Sequence, residues 1–414
     1  MYHIFPILVL LLTTLKLYLN YRQKNAVKNN RTKVPIKFVS SISLSEHQKS
    51  ADYTLAKLKF NNIKIIIDGM ILIMLTSCGL IQYLDNIIIR YYPSLSIIFQ
   101  GILLIGTIGL LGFIIDTPFD LYHTFILEER FGFNKTTAKI FILDNIKTVV
   151  LSVILGAPLL YLIFWLMQIM GNLWWIWVWS AFCGFNILIM FIYPTVIAPL
   201  FNKFLPLNDK TLEEKIYALL NKCGFKSSGI FVMDGSKRSG HGNAYFTGIG
   251  KNKRIVFFDT LIKQLTPDEI EAVLAHELGH FKKKHIIKQI GVSFSMLLAM
   301  LYLLSVFIHE PVFYNMLGVT HMTNYNALIL ISIALGVVSF PFTPLMSYMS
   351  RKNEFEADDY AKQISNKNHL IAGLVKLYKE NSSTLTPDDL YAKFYYSHPP
   401  ASIRIAHLEL DSNK

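Results

Sequence analysis

The chain has 414 residues, of which 52% are hydrophobic and only 16% charged, with a mean hydropathy of +0.39. Soluble domains carry about 25% charged residues, so this composition excludes an ordinary soluble protein and indicates a membrane protein. The formal net charge of +12 does not call for nucleic acid, because Lys and Arg gathered in loops beside apolar segments are what the positive-inside rule produces.

About 20 apolar residues cross a bilayer. Seven segments satisfy that length, roughly 4–19, 65–84, 95–115, 149–170, 173–192, 290–308 and 327–348. The first contains Lys16 and leads into the polar run 18–22 with no small-residue cleavage site, which reads as an uncleaved anchor. The second carries Asp68 near one end. The fifth opens with Trp174, Trp175, Trp177 and Trp179, an interfacial aromatic belt. The seventh is interrupted by Pro341 and Pro344. Cys78 and Cys183 fall in apolar segments as packing residues, and with Cys223 they are too scattered for a disulfide framework.

Segments 21–64, 128–147, 202–288 and 351–414 are rich in Lys and Arg, whereas 171–172 has no charge and 309–325 has neither Lys nor Arg. Basic and poor loops alternate. That predicts the N-terminus outside, and the C-terminus and both large hydrophilic segments in the cytosol.

The loop 116–147 contains DTPFDLYHTFILEERFGFNKTT. It mixes aromatic and charged residues and is expected to pack on the membrane face, either as a structured connector or with a function of its own. Residues 202–263 read as a small α/β unit. A helix covers 212–223 with Gly224 just beyond its end, and strands are expected at 229–233 and 254–258. A third strand at 243–247 lies just before the next helix. It is either an exposed edge that pairs with an extended substrate or an ordinary hairpin strand.

Residues 265–280 read LTPDEIEAVLAHELGH. Thr266 suits an N-cap, Pro267 the first helical position and Glu269 the capping box. A helix starting there puts His276 and His280 on one face, one turn apart. Two imidazoles so placed can share a metal ion, and Glu277 beside them can serve a water without being a ligand. This is the H-E-x-x-H arrangement of zinc proteases. Gly279 is expected to clear space beside the metal.

A third protein ligand is needed, and a His₂Glu set is a known solution. Residues 350–360 place Glu354 and Asp358 on one helical face. Glu354 is the candidate ligand, ahead of Glu356, which is read as a surface charge. Asp358 can accept the other N–H of a ligating histidine. In the run 394–404, FYYSHPPASIR, His398 either donates to a developing oxyanion or caps the chain before two prolines.

HELGH at 276–280, NEFEADDYA at 353–361, GNAYFTG at 242–248, KNKRIVFFDTL at 251–261, YSHPPASIR at 396–404 and FILEERFGFNKTT at 125–137 together resemble the type I CAAX prenyl proteases. These are integral-membrane zinc metalloproteases. The resemblance implies a multi-pass α-helical membrane protein whose seven transmembrane helices form a barrel around a water-filled intramembrane chamber. A mostly helical cytosolic metalloprotease domain with a short β-sheet would close it. The implied division is 1–200 with five spans, 201–288 with HELGH, 289–350 with spans six and seven, and 351–414 with the third zinc ligand.

It further implies one Zn²⁺ per chain on His276, His280 and Glu354, with Glu277 as catalytic base. Asp358 and Arg404 would order the site, His398 would contact the intermediate, and Asn243 and Ala244 would hold the substrate backbone. Family members remove the last three residues after a prenylated cysteine. The implied partners are thus a peptide or protein substrate, C-terminally prenylated in the family, and membrane lipid, with no nucleic acid. The short 309–325 segment lacks the long lumenal insertions of some members, which suggests a compact bacterial-type member in an inner membrane, or else a protein of the endoplasmic reticulum.

Two other readings stand beside this one. A quality-control membrane metalloprotease without prenyl specificity shares the HELGH context but lacks most of the upstream spans. A transporter or lipid-binding protein would carry charges along its spans, where this sequence has few.

Overall fold

The computed structural model describes residues 3–247 and 253–410. Gly248, Lys251 and Asn252, at the ends of two of the quoted motifs, lie outside the described residues. Helix α1 (Ile4–Asn30) is followed by α2 (Leu44–Leu75), which opens on a Ser43–Glu46 capping box. α2 turns by 50° at Gly79 (φ +75°) into α3 (Leu80–Tyr91). Next come α4 (Ile97–Tyr122), α5 (Ala138–Ile169) and α6 (Trp174–Ile192).

The hydrophilic part holds β1 (Phe204–Pro206), α7 (Lys210–Cys223), β2 (Ile230–Met233), β3 (Ala244–Thr247), β4 (Arg254–Phe258) and α8 (Pro267–Lys282). Then follow α9 (His285–Phe307), α10 (Asn324–Val338) and α11 (Thr343–Ile364). The chain closes with α12 (Lys367–Glu380), α13 (Asp389–Tyr395) and α14 (Ala401–Glu409).

Among the described residues, five helices are long and apolar enough to cross a bilayer, and two bent pairs, α2–α3 and α10–α11, raise the number to seven. The protein is a multi-pass helical membrane protein. The helices outrun the apolar stretches: α1 continues to Asn30 and α11 to Ile364. Hydropathy locates the membrane-crossing part of a helix, not its ends. The second and seventh spans are bent rather than straight, at Gly79 and around Pro341.

The spans form a wall rather than a packed bundle. Only 11–28% of the residues along each of the five straight spans are buried. The buried ones gather at one end: Ile98 and Leu104 on α4, Ile163, Phe164, Leu166 and Met167 on α5, Trp174 and Val178 on α6, Leu301 and Leu304 on α9. With Tyr314, Val319 and Tyr325 they make one apolar core. At Gly106, Gly109, Gly156 and Gly291 an added Cβ would meet no atom within 4 Å. The spans are held together by this core at one end, and these glycines along them meet open space.

The opposite end carries a second core, where α7 (Leu212, Ile216, Leu220) and β4 (Ile255, Phe257) pack on α8 (Ile270, Leu274, Leu278). The sheet order is β1-β2-β4-β3, with β2 and β4 parallel and the outer pairs antiparallel. β2, β3 and β4 fall where strands were expected, and Gly224 takes the left-handed C-cap of α7 (φ +64°). β1 was not foreseen. It is three residues ending in Pro206, a residue tolerated only at a sheet edge.

Candidate metal centre

The capping box at the start of α8 forms as expected. Thr266 N–H donates to Glu269 Oε2 at 2.8 Å and Glu269 N–H to Thr266 Oγ1 at 3.4 Å. Burial raises the Glu269 carboxyl, but the Lys376 ammonium and Thr266 hydrogen bonds outweigh it and hold the group below the usual range. The helix so fixed carries His276 and His280 toward α11. Gly279 makes the approach possible: a Cβ there would lie 2.8 Å from Ala357 Cα and 3.0 Å from its carbonyl oxygen. The glycine therefore clears space for the facing helix rather than for the metal.

That contact brings Glu354 between the histidines. His276 Nε2 lies 3.2 Å from His280 Nε2, Glu354 Oε1 is 3.2 Å from His280 Nε2, and Glu354 Oε2 is 3.5 Å from His276 Nε2. Tetrahedral ligands at about 2.1 Å from a zinc-sized ion stand about 3.4 Å from one another. The three residues thus fit one divalent cation. Glu354 Oε2 adds a second sign: it is shut off from water and accepts no well-directed hydrogen bond, although His398 Nδ1 lies 2.8 Å and Arg404 Nη1 3.4 Å away.

The ligands are backed as metal-binding histidines require. Asp358 Oδ1 is 2.8 Å from His276 Nδ1, and Arg404 grips the same carboxylate with Nε at 2.9 Å and Nη2 at 2.5 Å. Burial would lower the Arg404 guanidinium, but its hydrogen bonds to Asp358 hold it above its usual value. Glu277 is half-buried beside His276. His398 is 64% exposed and faces open space while its Nδ1 touches Glu354. Sequence reasoning missed the backing of His280. His285 Nδ1 stands 3.0 Å from His280 Nδ1, and Glu356 Oε2 lies 3.1 Å from His285 Nε2. Glu356 is part of this relay and not a free surface charge.

Asn243 and Ala244 lie at the start of β3, which ends the sheet. Asn243 carbonyl accepts from Phe258 N–H at 2.9 Å, while Ala244 N–H turns to Asn243 Oδ1 at 2.8 Å rather than to β4. The loop after α4 packs against the turn that leads into this strand. Gly240 N–H donates to Phe133 carbonyl at 3.0 Å, and the Phe133 ring stacks on His241 at 4.2 Å. Glu128 joins Tyr53 hydroxyl at 2.5 Å to His241 Nε2 at 3.5 Å, and His241 Nδ1 meets Asn381 Oδ1 at 3.1 Å. The FxFN and SGH motifs that meet here are both aromatic-polar, but nothing in either predicts the other as partner.

Residues 23–203 match the model of the CAAX prenyl protease N-terminal region with five membrane helices, and residues 206–411 match peptidase family M48. The chain belongs to the CAAX prenyl protease family. It is 35% identical to CAAX prenyl protease 1 of Saccharomyces cerevisiae, over 96% of this chain and 92% of the yeast protein. A Dictyostelium discoideum homologue of that protease is also 35% identical, over 92% of this chain and 90% of its own. The crystal structure of S. mikatae Ste24p superposes with a TM-score of 0.93 at 32% identity, covering 99% of both chains. The CAAX prenyl protease fold and a metallopeptidase activity are thereby assigned to this chain.

Proposed function

We propose that the protein is a zinc endopeptidase that removes the C-terminal tripeptide from prenylated substrates. The observation that carries the reading is the His276–His280–Glu354 triangle, with edges that suit a tetrahedral ion. Nitrogen and carboxylate ligands in that number favour Zn²⁺. When bound, the ion supplies Lewis acidity that polarises a carbonyl and brings the pKa of a water to about 7.

The chain's own residues do the rest. Ala244 and its neighbours on the β3 edge hold the substrate backbone extended. Glu277 takes the proton of the water as its oxygen adds to the scissile carbonyl carbon. It then returns that proton to the leaving nitrogen as the C–N bond breaks. His398, exposed beside Glu354, donates to the carbonyl oxygen as charge develops there. Asp358 and Arg404 hold His276 in the tautomer that leaves Nε2 for the ion.

The alternating loop charges support the metal end facing the cytosol, and the eukaryotic sources of the relatives named above favour the endoplasmic reticulum over a bacterial inner membrane. The exposed apolar outer faces of the spans, Val153 and Ile154 at 60% among them, make lipid a partner. The test is cleavage by purified protein of a farnesylated C-terminal peptide, beside the same peptide without the lipid and beside Glu277→Ala. Cutting of the farnesylated peptide alone, lost in the variant, is expected. Equal cutting of both peptides would replace prenyl processing with general membrane-protein proteolysis, and full turnover in Glu277→Ala would refute the assigned base.

A further inference from the structure

A cavity of about 380 Å³ opens beside the metal centre, between α1, α2 and the turn and helix that follow α12. His398 stands at one limit, where it touches Glu354, and Asn381 at another, where it receives Gly242 N–H at 3.3 Å and so reaches the start of the β3 edge. A peptide leaving the scissile bond along that edge therefore runs into this space. Its volume lies in the range of sites that enclose small ligands, enough for a few residues.

The lining is one-sided in charge. It contains Lys57 and no Asp or Glu. Among the described residues Lys57 forms no ion pair; its ammonium lies 4.7 Å from the centre of the Tyr53 ring. The nearby carboxylate of Glu128 is engaged by Tyr53 and His241. Gln23 is only 1% exposed and lines the same space. Its Oε1 accepts from Asp388 N–H at 2.7 Å, but its Nε2 makes no well-directed hydrogen bond, although the Tyr396 hydroxyl lies near it. A buried donor left unmade costs about 1–3 kcal/mol, so its presence here asks for an acceptor. Burial raises the hydroxyls of Tyr378, Tyr391 and Tyr396, and that of Tyr395 to about 12, so these walls also stay protonated and able to donate.

We propose that this cavity receives the departing C-terminal segment of the substrate, and that Lys57 and Gln23 bind its terminal carboxylate. The inference rests on the peptidase reading above and adds the group by which the enzyme recognises a chain end. A cation and a directed amide donor facing one site are the usual partners of a carboxylate. An internal peptide bond offers no such charge, so the site would select exopeptide-length ends over internal sequence.

The experiment uses the purified full chain and two farnesylated peptides that differ only at the C-terminus, free carboxylate against carboxamide. In the parent enzyme the carboxylate is expected to raise kcat/KM about 10- to 100-fold, mostly through KM. In Lys57→Met that ratio is expected to fall to within about threefold of one, and Lys57→Arg to restore most of it. Gln23→Glu, which sets an anion in the same space, should push the ratio down as well. Each ratio is taken within one preparation, so loss of folded protein cancels. Equal cutting of both peptides by the parent enzyme would overturn the carboxylate site while leaving the prenyl peptidase reading intact, as would an undiminished ratio in Lys57→Met. Cutting of neither peptide would instead remove the reading on which the inference stands.

Discussion

Glu354 illustrates what a residue-scale reading can reach. Its choice over Glu356 was legible because Glu354 and Asp358 stand four apart on one helical face, and the structure uses both, one against each end of His276. The role of Glu356 was not legible, because its partner His285 lies 71 residues away and is brought near by the packing of α8, which ends just before it, on α11. Two outcomes follow at this scale. Glu277→Gln is expected to retain the metal, measured by elemental analysis, while turnover falls by about 10²- to 10⁴-fold, the usual share of a general base. Asp358→Asn is expected to weaken metal retention by about 10- to 100-fold in a chelator competition, because it frees both Arg404 and the His276 ring.

At the scale of elements, the helix pair α8–α11 sets the geometry that the ligands need. Gly279→Ala forces a methyl against the Ala357 backbone, and the helices must part. The expected cost is about 1–3 kcal/mol, seen as a lower Tm together with weaker metal retention, whereas an exposed glycine such as Gly291, where an added methyl meets no atom within 4 Å, would show neither. The start of α8 gives a pH signature. Glu269 is held below its unfolded value by Lys376 and Thr266. Its stabilisation is therefore present above the unfolded pKa of about 4.3 and is lost as pH falls through the depressed folded value. Glu269→Gln should lower Tm at neutral pH, and the deficit should shrink as the medium is taken below about pH 4. Capping residues, the glycine C-cap and short runs of β-branched and aromatic residues between glycines and polar turns carry local rules, which is why α7, α8, β2, β3 and β4 could be read from the chain. Pro341 and Pro344 mark the break in the seventh span, whereas β1 and the bend of the second span depend on what packs beside them, and nothing in the sequence reading announced them.

For the whole molecule, the knot at the end remote from the metal holds the wall together. α9 begins beside the metal helix and its 23 residues carry it about 34 Å away. At that distance Asp85, fully buried, accepts from Tyr325 hydroxyl at 2.7 Å and Asn326 Nδ2 at 3.0 Å, and lies 2.9 Å from His321 Nδ1. Asp85→Ala leaves those donors without an acceptor and is expected to cost about 2–4 kcal/mol. Thermal unfolding in detergent should record the loss while metal content stays unchanged. The joint between α8 and α9 has a different consequence. Only Lys283 and Lys284 separate the two helices, and Lys284 is fixed in the left-handed conformation (φ +57°). The metal ligands are thus bolted to a membrane span with no lever between them. The site is therefore expected to keep a fixed depth along that span, so that a substrate would qualify by the length of free tail it can bring to it.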